Sequence, residues 1–522
     1  VHYSDFTSYW STNADFVKNM WDKYYKIISY CNLALDQVAN VTWNNDVQRD
    51  RIVAEAHFLR GLSYLRLAEY FGGVPLVSEY SEMPKFDYIR ASRTETYQYA
   101  IDELLLGYGG LPHDVTADYG RAGKGAAALY LSEAFLALGV EANNVVYYDG
   151  KTCYENAEFF AKDVISMHPL MQNRFGVRLS GATGSTNGIP NAFPQGNVFS
   201  DLFVSANVID PANTETIWVM VTAPNYATYM ATGGYRNSSI AYVPAVQDIN
   251  WAAQYKENGA GEGPWKSVSL KYGGKVNPTI HGAYSWGLSP LTWFTSYDLW
   301  NEENNNNSPD DYRYVEGVTV RTKYLVTDEK HSLYETYVGW EHIDKEDMNT
   351  ASKFFPIFYK EIPFDDWDYD LSDPGGFSGQ IGNNYRNKYG ARSSEAYLLL
   401  AEAYYRDNKT GEALDALNTV RIRANATPMA QIDIQVILDE RARELLFEED
   451  RWATFLRMKP DEWKSRIYDY GMYSARPGDK VYPEVRRWNY YQDEIRFTLW
   501  PIPQNYRELN TGADFPQNEG WN

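Results

Sequence analysis

Flat rings, turn-forming residues and small polar neighbours crowd together in one stretch of this chain, His281-Gly282-Ala283-Tyr284-Ser285-Trp286-Gly287-Leu288-Ser289-Pro290-Leu291-Thr292-Trp293. Gly and Pro hold such a segment out of regular structure while three aromatic side chains stay close in sequence. The chemistry this suits is stacking. The C–H face of a sugar ring packs on an aromatic plane, and its hydroxyls seek Asn, Asp, Arg or backbone partners at the rim. Trp286 and Tyr284 are candidates for that contact, and so is Trp293, although Phe294, Tyr297 and Trp300 follow it at a spacing that would equally make it core. Tyr235 and Arg236, after Gly233-Gly234, and Trp10, ahead of the first helical pattern, complete the candidate set. Aromatic rings are more often packing than ligand contacts. With 44 Tyr, 16 Trp and 22 Phe in 522 residues, the chain has rings for both purposes. Three rings at about 1 kcal/mol each, plus hydrogen bonds, give a dissociation constant on the order of millimolar to tens of micromolar.

Other chemistries are poorly served. Asp365, Asp366, Asp368, Asp370 and Asp373 alternate around Trp367 and Tyr369, but the glycine and glutamate of a calcium loop are missing, so the run reads as a solvated acidic loop with no metal and no cofactor. There is no His-Glu-x-x-His, no Gly-x-Ser-x-Gly and no Gly-Lys-Ser/Thr phosphate loop, which points away from an enzyme. Carboxylate pairs for glycoside hydrolysis carry no weight among 69 acidic residues, since some pair always lies at a suitable separation. A net charge of −21 without a basic run opposes nucleic-acid binding. It also opposes a peptide-binding adaptor that would need a basic carboxylate clamp. Cys31 and Cys153 match no metal spacing and read as buried thiols or one disulfide. No apolar run is long enough to span a bilayer, and a chain beginning at Val1 reads as a processed or trimmed mature fragment.

Helices supply the support. Trp21, Tyr24, Tyr25, Ile28, Leu35 and Val38 recur at three and four, and Arg51 to Tyr70 forms a second helix stopped by Gly72-Gly73 and Pro75. Small residues Ala54, Ala56, Gly61 and Ala68 among Phe58, Leu62 and Leu65 let a neighbouring helix approach closely. Ser92-Arg93-Thr94-Glu95 has the form of a capping box opening a helix to about Leu106. Gly125 to Leu138 with Tyr154 to Pro169, and Glu395 to Arg406 with Glu412 to Arg423, read as helix pairs of tetratricopeptide type. Helices from Ile432 to Glu449 and from Arg451 to about Met458 follow. The run between Leu170 and Lys388 is rich in Gly, Asn, Tyr and Trp, with a short strand at Glu215 to Val221, and is where long segments would carry function on a rigid base. The expectation is one compact mostly α unit over 1–522. It comprises a helical-repeat half at 12–169, a variable ligand-binding segment at 170–388 and a second helical half at 389–522.

Ordered motifs then point to a family. Arg60-Gly61-Leu62-Ser63-Tyr64-Leu65-Arg66-Leu67-Ala68-Glu69-Tyr70-Phe71-Gly72-Gly73-Val74-Pro75-Leu76 comes first, followed by Gly120-Arg121-Ala122-Gly123-Lys124-Gly125, Asp311-Tyr312-Arg313 and Ser394-Glu395-Ala396-Tyr397-Leu398. Arg421-Ile422-Arg423, Glu440-Arg441-Ala442-Arg443-Glu444, Trp500-Pro501-Ile502-Pro503-Gln504 and Gln517-Asn518-Glu519-Gly520-Trp521 complete the series. In this order and at these intervals the chain resembles the SusD/RagB family of cell-surface glycan-binding lipoproteins. The resemblance implies four tetratricopeptide-like helix pairs in a right-handed superhelical scaffold, with a large irregular insertion that contains short strands and carries the glycan site. It also implies an N-terminal lipid anchor on the outer face of the outer membrane, absent from this sequence, and a TonB-dependent transporter of the SusC type as partner. On this reading the protein captures oligo- or polysaccharide without turning it over; the rival is a helical-barrel glycoside hydrolase, which also lines its cleft with aromatics. The charged motif residues are expected to be scaffold, Glu402 pairing with Arg421 or Glu440 with Arg443.

Overall fold

A computed structural model describes residues 11–113, 118–176, 196–221, 291–301, 309–316, 318–326, 332–342, 356–360, 387–469 and 498–521, and the short strands at 185–186, 189–190, 268–272 and 275–277. The architecture is mostly α. Five helices open the chain: α1 (Asp15–Gln37), α2 (Asp46–Phe71), α3 (Arg93–Gly110), α4 (Lys124–Glu141) and α5 (Cys153–Met167). Among the described residues six more follow the insertion: α6 (Ser393–Arg406), α7 (Thr410–Arg423), α8 (Ile434–Glu444), α9 (Arg451–Arg457), α10 (Pro460–Asp469) and α11 (Gln504–Leu509). From α1 to α7, helices consecutive in the chain pack as neighbours, α5 lying directly against α6. A single buried cluster runs from Val17 on α1 through Val164 on α5 to Trp463 and Trp521.

Local chemistry sets the boundaries. The Asn45 side chain accepts the Val47 N–H at 2.8 Å and starts α2 five residues earlier than periodicity predicts. Gly72 ends it at φ +73°, and a Cβ on Gly73 would lie 2.0 Å from the Ala91 carbonyl oxygen. Ser92 and Glu95 close the expected capping box on α3. That helix runs four residues past Leu106 because Phe58 of α2 lies against it at Gly107. At Gly61 a Cβ would sit 2.8 Å from the Leu104 nitrogen, so the small-residue alternation does let α2 and α3 touch backbone to backbone. A second capping box, Thr152 with Glu155, opens α5. The predicted helix over 432–449 is shorter, because Asp433 caps α8 and Phe447 at φ +66° lies in the turn beyond its end.

The double-glycine exit and the C-terminal motif meet in space. Trp500 donates its backbone N–H to the Tyr70 carbonyl at 2.7 Å, the Asn518 amide reaches Phe71 and Trp500 carbonyls, and Arg90 bridges Gly73, Pro516 and Asn518. Cys31 and Cys153 are both free buried thiols, pushed up to about 11 and about 12 by burial. Among the described residues no helix is long and apolar enough to cross a membrane.

The insertion leaves and returns at one place. Strand β1 (Thr216–Met220), which covers the expected strand, pairs antiparallel with β6 (Lys388–Arg392), immediately before α6. Between them β2 (Val268–Tyr272), β3 (Lys275–Asn277), β4 (Tyr324–Val326) and β5 (Tyr337–Val338) form an antiparallel sheet in the order β5-β4-β2-β3.

Buried charge ties this region to the scaffold. Arg313 is fully buried and donates to Asp311 at 2.8 Å, Glu440 at 2.5 Å and Glu444 at 3.2 Å. Arg392 reaches Glu215 and Glu444 at 2.8 Å, Arg423 bonds the same two carboxylates, and Lys360 pairs with Glu448. Glu440 pairs with Arg443 at 3.0 Å as expected. Glu402 does not pair with Arg421: it takes Arg406 and Arg457, both at 2.8 Å, while Arg421 turns to Glu440 at 2.6 Å. Arg406 lies at i+4 from Glu402, within a helix-spacing argument, whereas Arg457 lies 55 residues on and beyond one. Burial pushes these carboxyls up, but the surrounding guanidiniums outweigh it and hold Glu402 and Glu444 down to about 2.

Candidate ligand-binding surface

The described part of the aromatic segment begins with a tight turn. Thr292 caps a short helix at Trp293–Ser296 by accepting the Thr295 N–H, and a 3-10 turn over Asp298–Trp300 follows. Trp293 is only 9% exposed. Its indole N–H donates to Asp298 at 2.9 Å, and its ring lies 4.2 Å from Tyr297 and 5.2 Å from Trp340. Tyr297 and Trp340 occupy the space beside the Trp293 ring, so Trp293 braces its neighbours whatever contact it makes with ligand.

The support continues inward. Trp300 stacks on Tyr314 at 4.8 Å, Phe358 lies 6.0 Å from Trp300, and Phe447, just beyond α8, lies 6.5 Å from Phe358. The Tyr314 hydroxyl donates to the Ser296 carbonyl at 2.7 Å. Burial holds the Tyr297 and Tyr314 phenols protonated, well above their ordinary range, with Glu316 adding to the effect. Rings, the Arg313 pairs and the bond from Arg443 of α8 to the Leu299 carbonyl at 3.0 Å thus join this turn to the helical scaffold.

Rings are displayed on the outer side. Tyr334 is 40% exposed in a turn whose Glu335 adopts φ +60°, and Tyr337 on β5 is 52% exposed. Trp340 follows three residues later, half-buried against Trp293. Glu335, Thr336 and the exposed Glu341 carboxylate give this stretch polar groups beside its rings. Sequence reasoning missed all three aromatics. Their spacing of three, Tyr334-x-x-Tyr337-x-x-Trp340, was the available signal.

Trp10, Tyr235, Arg236, Tyr284 and Trp286 lie outside the described residues, as does the acidic run at 365–373. The chain reaches Trp10 from a fixed point: the Thr12 carbonyl accepts the Gln504 N–H at 2.9 Å. Among the described residues no group of His, Cys, Asp and Glu is arranged to hold a metal ion. Glu69, pushed up to about 8 by burial and by the Glu133 carboxylate across Arg66, is sealed within the helical scaffold, away from these rings.

Comparison with known proteins bears on the same two ends of the chain. A SusD-like profile described as starch-binding, associating with the outer membrane, matches residues 2–136, and the profile of the SusD family matches residues 373–521. The starch-binding protein SusD of Bacteroides thetaiotaomicron is 25% identical across 95% of this chain and 77% of its own length. A solved SusD-like protein described as laminarin-binding superposes with a TM-score of 0.58 at 19% identity, covering 99% of this chain and 88% of that one. Surface glycan-binding protein A of Bacteroides uniformis gives 0.56 at 18% identity, covering 97% and 86%. The superpositions speak for the fold. The profiles fall on the segments that hold the double-glycine exit, the Glu440 to Glu444 ion cluster and the C-terminal Pro-Ile-Pro, which the structure brings into one scaffold, and on that ground the chain belongs to the SusD/RagB family.

Proposed function

We propose that this chain is a non-catalytic cell-surface protein that captures oligo- or polysaccharide by aromatic stacking. Family membership supports the carbohydrate ligand, as do relatives named as binding starch or laminarin. The observation that carries the site is the pairing of buried and displayed rings: Trp293, Tyr297 and Trp340 form a packed base, and Tyr334 and Tyr337 stand exposed beside it. A sugar face asks for such a surface, with rings held rigid and hydroxyl partners at the edge. Trp286 and Tyr284, with Tyr235, Arg236 and Trp10 as further partners, complete it in this reading.

The protein hands its ligand to a TonB-dependent transporter of the SusC type, held to the outer face of the outer membrane by a lipid on residues upstream of Val1. Weak stacking suits such a transfer, because a ligand that must be released cannot be held at nanomolar affinity. The test is retardation in gels cast with starch, laminarin and a panel of other glycans, run beside an assay for new reducing ends. Retardation on one class of glycan with no release of reducing ends is expected. Steady release, or no retardation on any glycan, would contradict the proposal.

A further inference from the structure

A pocket of about 380 Å³ opens between α1, the loop joining α2 to α3 and the end of α11, and among the described residues none of its lining belongs to the insertion. Its inner end is aromatic: the Trp21 ring lies 5.0 Å from Tyr25, 5.9 Å from Tyr506 and 6.4 Å from Phe515, and all four line the space. Hydroxyls there are engaged, Tyr25 donating to the Pro75 carbonyl and Tyr506 to Asp22. The mouth is different. Ser29 and Glu79 are exposed and Tyr80 half-buried on its lining, and among the described residues none of these three side chains has a hydrogen-bond or ionic partner. Phe86, 49% exposed, adds a ring on the loop side.

The loop that builds this mouth runs from Gly72 to Ser92 without helix or strand, a length that in a compact scaffold marks function. It is nevertheless fixed. Asn32 donates to the Val77 and Glu79 carbonyls, Gly512 donates its N–H to the Phe86 carbonyl at 2.7 Å, and Asn510 bonds both backbone groups of Tyr88. A preformed hollow with ring walls and a few uncommitted polar groups, near the lower end of small-molecule sites in volume, takes a flat ligand of one or two rings. Sugar rings meet that description: their C–H faces lie on the aromatics, and outward hydroxyls reach the Glu79 carboxylate, Ser29 and Tyr80. Neither Glu79 nor Glu82 has an ionic partner among the described residues, and Lys85 is drawn to Asp87 at 4.0 Å and to the Tyr88 ring, so an anionic sugar is repelled. We infer that this pocket is a second carbohydrate subsite, selective for neutral sugars and built on the scaffold instead of the insertion. It rests on the glycan reading and deepens it, since two weak contacts on one polysaccharide chain give an avidity that neither supplies alone.

The test uses the full chain with trifluoromethylphenylalanine in place of Phe86, read by fluorine NMR in titrations with maltotriose, laminaritriose, xylotriose and trigalacturonate. A saturable shift is expected with at least one neutral trisaccharide, at a dissociation constant on the order of millimolar, and none with trigalacturonate. Glu79→Ala is expected to weaken that binding about tenfold with Tm unmoved, the loss of a hydrogen bond to a charged acceptor, while Tyr337→Ala, on the other ring surface, leaves the shift in place. No shift with any neutral trisaccharide, a shift that Tyr337→Ala abolishes, or an equal response to trigalacturonate would overturn the subsite. Retardation in the glycan gels without that shift rejects this pocket alone, whereas no retardation on any glycan rejects the glycan reading itself.

Discussion

The first helical pairs and the seam beneath the insertion are held by different physics. Between α2 and α3 the contact is close and largely apolar: Gly61 brings one backbone against another, and Tyr97, Ala100 and Leu104 are fully buried there, with a single carboxylate, Glu103, held by Arg60 and His57 beside them. Around α8 the contact is ionic, with Arg313, Arg392, Arg421 and Arg423 almost completely buried against Glu215, Glu440 and Glu444. Apolar contact tolerates many neighbours of the right volume. A buried ion network adds little net stability over an apolar core but is costly to leave half-paired, so it favours one arrangement over others. The chain relies chiefly on the first device where α2 stacks on α3, with isolated buried ion pairs such as Arg60–Glu103 and Arg66–Glu133 among the helices. The second appears where a long excursion must return in one register and hold its rings in place.

Breaking the ionic seam has the largest expected effect. Arg313→Met strands Asp311, removes one of the three guanidiniums around Glu440 and is expected to cost about 3–5 kcal/mol, read as a fall in Tm with loss of glycan retention. Gly61→Ala on the apolar side forces apart backbones already in contact and is expected to cost about 1–3 kcal/mol with glycan affinity kept in the folded fraction. Retention lost in both, in proportion to stability alone, would erase the distinction between the seams.

The pH response sharpens the comparison. Glu402 and Glu444 are held at about 2, below the carboxylate range, so their contribution is present above about pH 4.5 and is lost as pH falls through 2. Glu69 has the opposite sign. Pushed up to about 8, its contribution is complete below about pH 4.5 and is lost as pH rises through 8. Glu69→Gln is therefore expected to narrow the Tm difference between pH 6 and pH 9, by the equivalent of about 1–2 kcal/mol. An unchanged difference would remove Glu69 as its source. The smallest effect belongs to an exposed ring: Tyr337→Ala is expected to weaken glycan retention by about fivefold, near 1 kcal/mol, with Tm unmoved.

Much of the scaffold was legible because its signals are local. The Ser92-Glu95 box and the Gly72-Gly73 stop each act within a few residues. Thr152-Glu155 carries the same signal and was overlooked, and Asn45 extended α2 beyond what periodicity showed. What was not legible is pairing at long range. Nothing near Glu402 in sequence announces Arg457, and nothing near Arg313 announces Glu440, 127 residues away. In the candidate site, burial is what the sequence does not announce: Trp293 has the residue type and neighbourhood of a stacking ring, yet Tyr297 and Trp340 pack against it, while Tyr337 looks ordinary and stands exposed.

The most direct measurement is the binding isotherm of Trp286→Ala against that of the wild-type chain, on whichever glycan retards the latter. Affinity reduced at least tenfold with Tm unchanged within a degree or two is the expected result, since a ligand-facing indole contributes to binding and not to the core. Undiminished affinity, or a loss matched by unfolding, would contradict a carbohydrate-docking surface built from this segment.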